Sequence, residues 1–268
     1  MTVERVLFVS QGITPYVAES PEAKISKHLP LNIQGKGVDT RMFLPKLGAI
    51  NDKKSLLHEV IRLSGQNIVI NNNAHTLIVK VTSAPVMQMQ TYFIYNEHYF
   101  DREQVLTDDA GKLFSDNDER AIFYARGIFE TVRSLGWSPN IIHCHGWLSC
   151  LIPLFLKKVY AANPLFANTK VIYSVYNDHS AKMLSRRFAA KLEKSGILLD
   201  DAELYKDINY ETALKLAIDY SDGVIISHPN VSKGIRSHIA GTNKPCFEHR
   251  ENRYGSLYLK FYNNVMNK

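Results

Sequence analysis

Residues 140–150, NIIHCHGWLSC, decide the fold. Ile141 and Ile142 are apolar and β-branched, His143, Cys144 and His145 continue the extended run, and Gly146 turns the chain. The apolar segment that follows from Trp147 is long enough for a helix. A short buried strand that stops and becomes a helix is the building unit of an open α/β sheet, and ligands of such sheets sit beyond the carboxyl ends of the strands. Two imidazoles and an indole at that edge make His145 and Trp147 the first candidates for ligand contact. His143, deeper in the strand, fits a hydrogen-bonded core histidine better.

The flanking sequence supplies the rest of the sheet. RVLFVS at 5–10 is apolar on both faces, as in a buried parallel strand, and ends at Gln11-Gly12. Pro21 and Glu22 open a helix predicted to run to about residue 33, and DTRMFL at 39–44 is the next strand, closed by Pro45. That β-α-β order places helices on the sheet faces. Short strands at 67–70, 75–82 and 91–95, separated by turn-like residues 71–73 and Ala84-Pro85, read as an antiparallel meander inserted into the α/β order. A long helix over 118–135 aligns Ala121, Ile122, Ala125, Ile128, Phe129 and Val132 on one side and stops at Gly136.

Beyond the strand at 141–145, a helix is expected over 147–162, with Pro153 bending it or marking a late start. A strand at 170–176, a basic helix over 180–194, a helix at 210–220, a strand at 223–227 and a helix at 231–240 follow. Residues 241–253 read as loop and 254–266 as a final amphipathic helix. The fold class is α/β: a Rossmann-like parallel sheet flanked by helices, with a small antiparallel insertion.

With 268 residues, 45% hydrophobic and 22% charged, the chain has ordinary globular composition and can bury a sizeable core without staples. The net charge of +6 is scattered, and its densest cluster (Arg186, Arg187, Lys191, Lys194) has the spacing of a solvated helix face. No nucleic-acid motif is present. Three cysteines form neither a disulfide framework nor a zinc motif and fit a reducing, cytoplasmic setting. The N-terminal apolar run carries no signal-peptide pattern, and no stretch approaches the ~20 apolar residues of a membrane span, so no membrane partner is expected. Asn230-Val231-Ser232 is formally a glycosylation sequon.

Few chemical motifs stand out. His143 and His145 share one strand face, but no third ligand stands at a recognisable spacing, so no metal is expected. The first strand leads into SQGITP rather than a glycine-rich dinucleotide turn. Phosphate-loop and nucleophile-elbow sequences are absent too, so no cofactor and no catalytic residue is assigned. Asn177, Asp178 and His179 stand between a strand and a helix, where they serve either as a helix-start cap or as site residues.

Longer segments carry a family resemblance. VLFVSQGITPYVAESPEAKISKHLP (6–30) is similar to V-L-F-V-T-S-E-x-x-P-F-V-K-T-G-G-L-x-D-V-x-x-A-L-P, and VDTRMFLPKL (38–47) to V-x-V-R-V-x-L-P-x-Y. YFIYNEHYFDR (92–102), DNDERAIFYARGIFE (116–130), SPNIIHCHGWLSCLIPLFLK (138–157) and ALKLAIDYSDGVIISHPNVSKGI (213–235) match further segments in the same order. These patterns are those of the N-terminal domain of bacterial glycogen synthases and plant starch synthases, glucosyltransferases built from two Rossmann-type domains. The resemblance covers about the first 240 residues. It implies the N-terminal half of a GT-B-type fold over residues 1–245, with 246–268 as a C-terminal arm or helix packing back on the domain. Tyr258, Phe261 and Tyr262 faintly resemble the family's C-terminal helix.

The departures bear on activity. Ala18 stands where the family has the lysine of K-T-G-G that meets nucleotide phosphates, and Ser20 and Pro21 replace the glycines. Backbone approach to a pyrophosphate needs glycine there, and Glu19 and Glu22 add the wrong charge. Gly146 replaces the aspartate of H-D-W-H, and Tyr176 replaces the histidine expected near the sugar. His145, Trp147 and Asn177 persist. The family's second domain, which binds most of the sugar nucleotide and stabilises the leaving diphosphate, has no counterpart in these 268 residues.

The expectation is therefore a glycogen/starch synthase-like protein without autonomous activity. It would bind an α-glucan or nucleotide sugar, or a protein partner such as a full-length synthase, through the surface where the second domain would have docked, with His145, Trp147, Tyr176, Asn177 and Asp178 as candidate ligand contacts; a homo-oligomer is compatible with this. The alternative is half of a split glucosyltransferase, moving glucose from ADP- or UDP-glucose to an α-1,4-glucan and completed by a donor-domain chain.

Overall fold

The computed structural model describes residues 2–82, 89–177, 184–185, 187–197, 208–250 and 255–268. Its first unit is β1 (Arg5–Ser10), α1 (Pro21–Gln34) and β2 (Asp39–Pro45). The insertion follows as β3 (Leu57–Glu59), β4 (Asn67–Ile70), β5 (Asn73–Thr76), β6 (Ile78–Thr82) and β7 (Gln90–Tyr95), leading to α2 (Glu97–Phe100) and α3 (Asn117–Leu135). The second half runs β8 (Ile141–His145), α4 (Ile152–Lys158), β9 (Lys170–Val175), α5 (Phe188–Lys194), α6 (Tyr210–Tyr220), β10 (Gly223–Ile226), α7 (Lys233–Gly241), β11 (Cys246–Glu248) and α8 (Ser256–Met266).

The main sheet has the order β11-β10-β9-β8-β1-β2-β7-β6-β3. From β11 to β7 every neighbouring pair is parallel, and β6 and β3 add antiparallel strands at one edge. β4 and β5 form a separate antiparallel hairpin. The meander expected between 67 and 95 is thus divided: β4 and β5 form a hairpin of their own, while β6 pairs antiparallel with β7 as expected and β7 also joins the main sheet in parallel with β2. The alternation in that segment fixed the strands and the β6–β7 pairing but not the second partner of β7, because that is chosen by the β2 edge. Ala84-Pro85 lies outside the described residues.

Helices cover both faces. α1 and α8 contact each other on one side; α3, α4, α6 and α7 pack in succession on the other. Helix ends follow local chemistry. Ser20 caps α1 by accepting from Ala23 N–H (3.0 Å), Asn209 and Thr212 form a capping box on α6, and Gly136 ends α3 at φ +62°. Ser232, the last residue of the formal sequon, caps α7 by accepting from Ile235 N–H (3.2 Å).

Two expected boundaries shift. The helix predicted over 147–162 begins as a 3-10 turn at Trp147–Ser149 and becomes α-helical only at Ile152, because Pro153 is tolerated in a first turn but not inside a helix. The loop predicted over 241–253 contains β11, which pairs in parallel with β10; three residues are too few to show alternation. The predicted basic helix is described only from Phe188, and Arg186 lies outside the described residues; Lys191, expected on its solvated face, is buried instead, paired with Asp118 and Glu119.

The core lies on both sides of β1, β8 and β9, whose apolar residues are almost wholly buried. α8 approaches β10 at Gly223, where a Cβ atom would lie 2.9 Å from Val265 Cγ2; any side chain there would push the helix away. Among the described residues no helix is long and apolar enough to cross a membrane.

Candidate functional site

The chain passes from β1 to β2 on one side and to β8 on the other, so the strand order reverses between β1 and β8. In doubly wound sheets the ligand crevice opens at that reversal. Ser10 and His145 are register partners at its carboxyl end. Tyr124 of α3 braces the edge, its hydroxyl donating to the carbonyls of Ser10 (2.7 Å) and Phe43 (3.0 Å).

Here Gln11 and Glu22 pack over the end of β8. Gln11 N–H donates to His145 C=O (3.3 Å), and Gln11 Oε1 accepts from Leu148 N–H (3.2 Å). Gln11 Nε2 donates to Glu22 Oε2 (2.8 Å) from the first turn of α1. Gly146 lies against this pair with φ +79° and ψ 163°, a conformation essentially confined to glycine. A Cβ at 146 would stand 2.3 Å from Glu22 Oε1 and 2.4 Å from Gln11 Cδ, so a larger residue has neither the backbone nor the space. Ala18, exposed in the loop before α1, lines a hollow of about 590 Å³ together with Gln11, Glu22 and Glu103.

His143 and His145 face the α1/α8 side as a column, ring centroids 4.0 Å apart. His143 is saturated: Nδ1 meets the Tyr262 hydroxyl of α8 (2.7 Å) and Nε2 the Ser174 hydroxyl (2.8 Å), which accepts in turn from Ser227 (3.1 Å). Burial, reinforced by the charge of His145, holds its pKa well below the ordinary imidazole value. His145 Nδ1 meets the Tyr176 hydroxyl (2.8 Å), whereas Nε2 has no hydrogen-bond partner among the described residues. Burial first, then the charge of His249, push the His145 pKa down to about 3, so the ring is neutral at physiological pH.

The other sequence candidates separate. Trp147 has no exposed surface; its ring packs on Tyr210 with centroids 4.4 Å apart, and Nε1–H donates to the Tyr210 carbonyl (3.1 Å). It is a core residue on the α6 side, away from the histidine column. Tyr176 is buried at the end of β9 and Asn177 is exposed beside it. Asp178 and His179 lie outside the described residues. No group of three or more metal-ligating side chains converges among the described residues.

Residues not counted among the candidate contacts complete the edge. Gln11 and Glu22 cover the end of β8; register supplied a signal for Gln11, since it directly follows the strand that borders β8. A second cavity, of about 470 Å³, lies over the carboxyl ends of β10 and β11, with Lys24, Ser227, His228, Arg236, Glu248 and His249 among its walls. Glu248 and His249 sit in the segment read as loop, so nothing in the sequence brought them to a sheet edge.

Comparison with known proteins agrees with this architecture. The family model described as the starch synthase catalytic domain matches residues 5–244. The chain is 33% identical over 259 residues to the glycogen synthase of Pelodictyon phaeoclathratiforme, covering 94% of this chain and 52% of that protein. It is 40% identical over 190 residues to the glycogen synthase of Chlorobium limicola, covering 70% and 39%. Among solved structures, the catalytic domain of starch synthase IV from Arabidopsis thaliana bound to ADP and acarbose matches with a TM-score of 0.71. The match has 18% identity and covers 92% of this chain and 51% of that one, a likeness of fold. The chain spans about half the length of the first of these relatives and less of the second.

Proposed function

The chain belongs to the starch synthase catalytic domain family, and from that premise we propose that it is a non-catalytic relative of the glycogen and starch synthases, binding an α-glucan or a protein partner rather than transferring glucose by itself. One observation carries this reading. Gly146, which by resemblance stands where the family has the aspartate of H-D-W-H, is in a glycine-only conformation, with Gln11 and Glu22 packed into the volume a side chain would need. Two further replacements support it. Ala18 offers no charge to nucleotide phosphates, and Tyr176, standing for the family's histidine, engages the buried His145. Residues 246–268 act in this reading as an arm that adds the last strand and lays α8 back on the sheet. The unbridged thiols of Cys144, Cys150 and Cys246 support a cytoplasmic setting.

The test is glucosyl transfer from ADP-glucose or UDP-glucose to glycogen by the purified chain, with calorimetry against maltoheptaose. No transfer together with glucan binding is expected; transfer above the enzyme-free rate overturns the proposal. A second reading, half of a split glucosyltransferase, is favoured by the open hollow beside Ala18, at the edge where a nucleotide sugar would enter. It requires that a separate donor-domain chain restore transfer when added, and failure of every co-purifying protein to do so rejects it.

A further inference from the structure

The 470 Å³ cavity over β10 and β11 has chemistry of its own, separate from the end of β8 under Gln11 and Glu22. Arg236 spans its mouth from α7, donating Nη1 to Glu248 Oε1 (2.8 Å) and Nη2 to the Pro229 carbonyl (3.1 Å). Those two bonds fix the guanidinium plane and leave donors of the fork without a partner among the described residues. His228 accepts the Asn230 N–H at Nδ1 (3.1 Å), which puts the proton of the neutral ring on Nε2 and makes that nitrogen a donor. Lys24 reaches the cavity from α1, its exposed ammonium paired with Glu19 (2.5 Å). His249, whose Nδ1 meets the Tyr258 hydroxyl (2.7 Å), closes the wall on the side of His145. Glu248 is the one carboxylate among the described lining residues, and Arg236 already neutralises it.

We propose that this cavity is a binding site for a small phosphomonoester of sugar size, with the Arg236 fork and the Lys24 ammonium meeting the phosphate and His228 Nε2–H donating to it. Planar N–H forks match phosphate oxygens with two parallel bonds, and charge-assisted bonds of this kind are the strong ones. The volume is within the usual range of small-molecule pockets, and its place at the carboxyl edge is where open α/β sheets take ligands. The site goes beyond the proposed function and does not depend on it: glucan binding and glucosyl transfer can both fail while this cavity fills.

The test is calorimetry of the full chain against ribose 5-phosphate, inorganic phosphate and, as the uncharged counterpart, ribose. Ribose 5-phosphate is expected to bind, inorganic phosphate more weakly, and ribose not at all. Arg236→Gln should weaken ribose 5-phosphate by about tenfold or more, the loss of a hydrogen bond to a charged group. Lys24→Gln, on an exposed side chain that cannot unfold the domain, should weaken it by a smaller factor and settles the matter if Arg236→Gln fails to fold. Equal binding of ribose and ribose 5-phosphate, wild-type affinity in both variants, or no heat from any probe at about 10 mM overturns the site.

Discussion

The imidazole of His145 and the phenol of Tyr176 are joined across the ends of β8 and β9, Nδ1 to hydroxyl at 2.8 Å, and both side chains are buried. Two residues expected from the family resemblance to contact a ligand are therefore bonded to each other. Tyr176→Phe should remove that bond and leave both nitrogens of a buried ring unsatisfied. The cost is about 1–3 kcal/mol. A urea melt should show a lower midpoint with an unchanged slope, and an unaltered midpoint would mean the pair is energetically idle.

Gly146→Ala should destabilise more. The backbone region is worth about 1–3 kcal/mol of strain for a residue with a side chain, and overpacking against Gln11 and Glu22 adds about 1–3 kcal/mol. The double variant Gly146→Ala/Glu22→Ala should recover part of the packing loss and none of the backbone strain. Thermal melts of both variants check the ordering.

Stability should fall on mild acidification. His143 and His145 have folded pKa values below the unfolded value near 6.5, the first well below and the second about 3. Above the unfolded pKa neither state binds the protons and the stability is complete. As pH falls from about 6.5 toward 3, the unfolded chain takes them up first, and up to about 1.4 kcal/mol per pH unit is lost for each ring. Urea melts at pH 7.5 and 5.5 should differ accordingly, and His145→Gln should flatten the dependence.

Lys191 is buried against Asp118 (2.6 Å) and Glu119 (2.8 Å) at the start of α3. Lys191→Ala should leave the fully buried Asp118 without its cation, at about 3–5 kcal/mol, and adding Asp118→Asn should return much of it. Chemical denaturation of the single and double variants measures the coupling.

Much of this fold was legible in the sequence because the signals are local. The apolar runs of β1 and β8, the proline opening α1 and the glycine closing α3 each act through their own backbone, and each element appears where those residues place it. The family patterns extended that reading to the order of the whole domain. β7 and β11 show where local reading stops. β7 is legible as a strand but not as a partner of β2, and β11 is too short to carry any alternation.

The site was legible in outline only. Sequence named the edge, through His145 and Gly146, and by resemblance pointed to Ala18 and Tyr176. Only the tertiary structure could decide that Trp147 turns into the core, that Gln11 and Glu22 occupy the volume over Gly146, and that Lys24, Arg236 and His249 meet around one cavity. These are contacts between residues far apart in the chain. Their chemistry depends on burial and on distances of a few ångströms, which the packing of the sheet sets and no run of neighbouring residues encodes.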